Sequence, residues 1–113
     1  MAVDENAWHS VIEVGDDAIP FLDKKFDVGS ISDRKAIIKA LGYMRSAKGF
    51  DLIRKALNDP SDDVWKQGLD AAVSMGGRDA LELIRNAIER RRSDHVFVEW
   101  SNEAAHDIEN EKD

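Results

Sequence analysis

The sequence contains no cysteine, and only two prolines, one tyrosine and three histidines. Without cysteine there are no disulfide cross-links, no thiolate metal sites and no thiol nucleophile. No apolar stretch approaches the ~18 residues that a membrane-crossing helix requires. Residues 1–6 are acidic and lack the basic start and apolar run of a signal peptide, so a cytoplasmic location without membrane contact is expected. The histidines, His9, His95 and His106, form no His-Glu-x-x-His pattern. On one helix His95 and His106 would stand ~16 Å apart, too far to share an ion. No metal, no cofactor and no catalytic residue is expected, and the chain reads as a non-enzyme.

What is present is charge and internal repetition. The 113 residues are 42% hydrophobic and 35% charged, ordinary for one folded domain. The net charge of −7 opposes general attraction to nucleic acid or anionic lipid. Its distribution is uneven: residues 1–33 sum to −6, 34–58 to +6, 59–89 to −4 and 90–113 to −3. The basic block holds Arg34, Lys35, Lys39, Arg45, Lys48, Arg54 and Lys55 against Asp51 alone.

Repetition is visible at a spacing of about thirty-one residues. Ala18-Ile19-Pro20-Phe21-Leu22, Gly49-Phe50-Asp51-Leu52-Ile53 and Ala80-Leu81-Glu82-Leu83-Ile84 are in step, as are Ala40-Leu41 with Ala71-Ala72 and Met44 with Met75. Each copy reads as two helices. In the central one, Val64, Gly68, Ala71, Ala72 and Met75 recur at helical spacing and give one apolar, small-residue face. Asn58-Asp59-Pro60-Ser61 stops one helix and starts the next, with Ser61 or Asp62 able to cap it. Gly76-Gly77 ends that helix. Pro20 is read as a residue of a first helical turn, where its missing N–H costs little. Val3, Ala7, Val11 and Val14 align with Val64, Gly68, Ala72 and Met75, so an unpaired helix is expected over residues 3–14. The expected fold is all-α: one domain over 1–113, a short α-solenoid of stacked antiparallel hairpins with about seven helices in units 3–14, 15–45, 46–76 and 77–110.

These segments resemble the HEAT family, particularly the short HEAT-like repeats first described in phycobilisome lyases. Those pair an A helix reading Ala-Ile-Pro-x-Leu with a B helix reading Asp-x-x-Val-Arg-x-x-Ala-x-x-Ala-Leu-Gly. The closest matches are residues 18–22, Ala40-Leu41-Gly42 and the stretch 57–64. Departures are Trp65 at the usual B-helix arginine, Asp33 in place of the valine, and an irregular last unit after Arg90-Arg91-Arg92. The resemblance implies that B helices line the inner side of a curved stack, where such proteins grip partners.

On that basis a partner-binding surface is expected around Arg34, Lys35, Ile38, Lys39, Trp65, Lys66, Leu69 and Asp70. Trp65, Leu69 and Val73 follow i, i+4, i+8 beside the core face, giving an exposed apolar stripe; the competing reading packs Trp65 against a neighbouring B helix. Trp8 and Trp100 are read as covers for the open ends of the stack. The arginines 90–92 are read as a helix C-terminal cluster facing its own carbonyls. The expected function is an adaptor that binds another protein. The alternative is an acidic immunity protein masking a toxin's basic active site. Nucleic-acid binding through residues 34–58 ranks below both, because flanking repeats would repel phosphate. Pairing of two copies stays open.

Overall fold

The computed structural model describes residues 15–110, and all regular structure among them is helical. A 3-10 turn, Gly15–Ala18, leads into α1 (Ile19–Val28), followed by α2 (Ile31–Met44), α3 (Phe50–Leu57), α4 (Asp62–Met75), α5 (Gly77–Arg90) and α6 (His95–Asn110). Among the described residues there are thus six α-helices, against about seven expected for the chain. The expected helix over 3–14, with Trp8 and His9, lies outside the described residues.

Local chemistry sets the boundaries. Pro20 lies in the first turn of α1, where no intrahelical donor is lost. A reciprocal capping box starts α2: the Asp33 amide donates to Ser30 Oγ at 3.1 Å, and the Ser30 amide donates to Asp33 Oδ2 at 3.3 Å. The departure of Asp33 from the repeat's valine thus has a structural role. In the 58–61 turn, the Ser61 amide donates to Asp59 Oδ1 at 2.9 Å. Ser61 is the N-cap of α4, but its hydroxyl makes no cap bond. At the other end of α4, Gly76 and Gly77 have φ of 66° and 83°, a backbone that side chains disfavour.

The helices form three antiparallel hairpins, α1–α2, α3–α4 and α5–α6, stacked so that α1, α3 and α5 make one layer and α2, α4 and α6 the other. The stack is an all-α helical repeat. Its centre is α4, which packs most extensively against α2 and also touches α3, α5 and α6. Small residues permit the α2–α4 approach: a methyl group on Gly42 would sit 3.4 Å from Ala71 Cα. The core runs through both layers, with Leu22, Ile37, Leu52, Ile53, Val64, Ile84 and Phe97 fully covered.

Burial also fixes the register. Leu52, Ile53 and Ala56 correspond to Leu83, Ile84 and Ala87, the spacing of thirty-one residues read from the sequence. In the second helices, however, Val64, Gly68, Ala71 and Ala72 correspond to Phe97, Ser101, Ala104 and Ala105. That spacing is thirty-three, because α5 runs to Arg90 and its loop enters α6 two residues late. The last unit is thus a regular hairpin with a displaced second helix.

Hairpin loops are tied to their neighbours by charge. Arg34 Nε lies 3.4 Å from Asp59 Oδ2, linking α2 to the next loop, and Asp59 is buried. Arg91 corrects the expectation for the arginine cluster. Its Nη1 donates to the carbonyls of Leu57 at 2.8 Å and Asp59 at 3.2 Å, in the preceding loop rather than at its own helix end. Its Nη2 meets Asp94 Oδ2 at 2.8 Å. In the outer layer Lys55 Nζ bridges Asp23 and Asp27 of α1 at 2.8 and 2.5 Å. Partial desolvation lowers the Lys55 pKa, but the hydrogen bonds that its ammonium donates to the two carboxylates, with their charges, outweigh it, and the net direction is up.

Candidate functional site: the inner helical face

The three second helices, α2, α4 and α6, run side by side and present one continuous face. Equivalent exposed or half-exposed positions follow from the register. They are Ser32, Asp63 and Val96; then Ala36, Gln67 and Trp100; then Lys39, Asp70 and Glu103; and finally Tyr43, Ser74 and Asp107. Each set of four lies at i, i+4, i+7 and i+11 along its helix.

Expected contact residues divide sharply on this face. Lys35, Lys39 and Asp70 are exposed, and Arg34 and Lys66 are half-buried. Trp65 is 0% exposed, Ile38 0% and Leu69 3%, so the expected exposed stripe is a correction: these three belong to the core. The physical reason is the position of α4 between two neighbours. Trp65 faces the following helix, with its ring 5.0 Å from Phe97 and 6.4 Å, edge-on, from Trp100. Its Nε1 donates to Asp62 Oδ1 at 3.0 Å, so burial leaves no unmet donor. Arg91 covers the other side, 5.6 Å from the Trp65 ring and 4.2 Å from Phe97.

Trp100 carries the aromatic exposure that Trp65 lacks. It is 47% exposed and packs back onto α4 instead of covering the open side of α6. Lys66 Nζ sits 4.5 Å from its centroid and 5.7 Å from that of Trp65, a cation–π clamp between helices. Val96, one turn before it, is 53% exposed. From the sequence Trp100 reads as a cover for the open end of the stack; the two-residue displacement of α6 instead aligns it with Ala36 and Gln67 on the inner face.

Across the face, α2 and α4 enclose a shallow groove of about 580 Å³ around Ala36, lined by Ile31, Lys35, Lys39, Asp63 and Gln67. Charge changes from one end to the other. Lys35 and Lys39 make the α2 side basic, α4 mixes Asp63, Lys66 and Asp70, and Glu99, Glu103 and Asp107 make the α6 side acidic. Among the described residues, no three His, Asp or Glu side chains are grouped to hold a metal ion. No described helix is long and apolar enough to cross a membrane.

One second helix and the first helix that follows it carry the sequence of a known repeat. Residues 33–59 match the PBS lyase HEAT-like repeat. The HEAT-like segment runs from the capping Asp33 through α2 and α3 to Asp59, the two carboxylates that fix its ends. It bears out the family resemblance read from the residues. No curated protein and no solved structure matches the chain. HEAT-like repeats generally mediate protein–protein interaction and are typically non-catalytic scaffolds.

Proposed function

We propose that this chain is a non-catalytic interaction module that binds another protein through the inner face of α2, α4 and α6. The observation that carries this reading is the juxtaposition of an open groove over Ala36 with a half-exposed Trp100 on the same face. Aromatic residues set among charges are favoured as binding anchors. The retained contact residues are Lys35, Lys39, Lys66 and Asp70, with Arg34 holding the helix start through Asp59. Val96 and Trp100 replace Ile38, Trp65 and Leu69 as the apolar part of the surface. Binding would be steric and electrostatic on a pre-formed face, with little rearrangement on association.

Affinity capture from native extract tests the reading when wild type is run beside the Lys35→Glu/Lys39→Glu double variant, at low and high salt. The expected result is one or a few proteins retained by wild type, released by salt and lost by the folded variant. Identical retention by both chains would count against the inner face.

A further inference from the structure

The inner face is self-complementary in charge and register. Its α2 side is basic and grooved, while its α6 side is acidic and carries the half-exposed indole of Trp100. A two-fold axis parallel to the helices and passing over α4 places α2 of one copy on α6 of another. Because the three helices run parallel, the operation keeps equivalent positions at one height. Ala36 then faces Trp100, Lys39 faces Glu103, and Tyr43 faces Asp107.

We propose that two copies of this chain pair through their inner faces, with Trp100 of each seated in the groove over Ala36 of the other and Lys39 set against Glu103. This deepens the reading of the face as an interaction surface, and rests on it, by naming the partner as a second copy. The groove of about 580 Å³ has room for an indole ring, and its floor at Ala36 is small enough to admit one. Lys35 and Glu99 flank the central ion pair, one on each side of the contact. Three helices ~10 Å apart and each ~21 Å long offer on the order of 600 Å² per copy, near the lower edge of stable interfaces. On the axis α4 meets its own copy, so Asp70 faces Asp70. This like-charge contact weakens the pair, and the dimer is reversible and salt-sensitive.

Sedimentation velocity over ~1 µM to ~1 mM chain, at low and high salt, reads the association directly. Wild type is expected to dimerise at low salt and to dissociate as salt rises. Ala36→Arg fills the groove and abolishes the dimer. Lys39→Glu and Glu103→Lys each weaken it by about tenfold, since every pair occurs twice across the axis. The Lys39→Glu/Glu103→Lys double variant restores it, which a folding defect would not. Asp70→Asn strengthens it. A chain that stays monomeric throughout, or a dimer indifferent to Ala36→Arg and the charge reversals, overturns the proposal. A monomer that still retains another protein through the inner face overturns the pairing and leaves the interaction reading intact. Pairing as described with no other protein retained leaves the self-association and removes that reading.

Discussion

The Arg91 guanidinium donates to the Leu57 carbonyl at 2.8 Å, joining the loop after α5 to the end of α3 in the preceding hairpin. The same group reaches Asp59 and Asp94 and lies against Phe97 and Trp65, so one side chain closes the joint between two repeats. Stacked hairpins bury their faces only against neighbours, and ties of this kind make the stack cooperative. Arg91→Ala should lower unfolding free energy by ~2–3 kcal/mol in urea titration, because buried carbonyls lose a charged donor. Arg91→Lys should recover little of it, since a single ammonium cannot reproduce the planar fork. An effect within ~0.5 kcal/mol would mean that the loops are held by other contacts.

Trp65→Ala should cost ~3–5 kcal/mol, as expected for a large aromatic removed from a closed core. Trp65→Phe should cost less, leaving Asp62 without its indole donor. Circular dichroism melts will check both. A Trp65→Ala chain with unchanged melting would contradict its burial.

Ser101 is fully buried at the position of Gly68, and its hydroxyl has no hydrogen-bond partner among the described residues. Ser101→Ala should therefore be neutral or stabilising by up to ~1 kcal/mol, because an unmet polar group leaves the core. A clear loss of stability in the same titration would show that the hydroxyl is satisfied.

Asp94 caps α6: the Phe97 amide donates to its Oδ1 at 3.1 Å, and Arg91 bonds its Oδ2. The backbone bond first, then the arginine, hold its carboxyl below the ordinary aspartate value. A pKa depressed in the folded state contributes stability that is present above the unfolded value and is lost as pH falls through the folded one. Stability should thus decline from about pH 4 downward, and Asp94→Asn should flatten that part of the curve while retaining a cap acceptor. Chemical denaturation across acid pH measures this; parallel curves for the two chains would contradict it.

Much of the fold was legible because helix signals are local. Pro20, the turn at 58–61 and Gly76-Gly77 mark boundaries through backbone chemistry, and repetition at about thirty-one residues exposes the stacking. The site was less legible because burial on α4 depends on two other helices. Trp65, Leu69 and Val73 form a stripe by periodicity alone, and only the packing of α6 decides that Trp65 and Leu69 are core and Val73 half-buried. Trp100 reads from the sequence as an end cover because a terminal repeat must hide an apolar end, but two extra residues before α6 place it on the inner face beside α4. Arg91 looked like a helix-end charge because its acceptors are more than thirty positions away.

The inner face of α2, α4 and α6 is the surface proposed here to meet another protein chain. The most direct measurement compares retention of interacting chains by two folded variants of matched charge change, Ala36→Arg in the inner groove and Asn86→Arg on the exposed outer side of α5. Loss of retention with Ala36→Arg and full retention with Asn86→Arg is the predicted result. Loss with Asn86→Arg alone, or equal retention by both, would contradict the assignment.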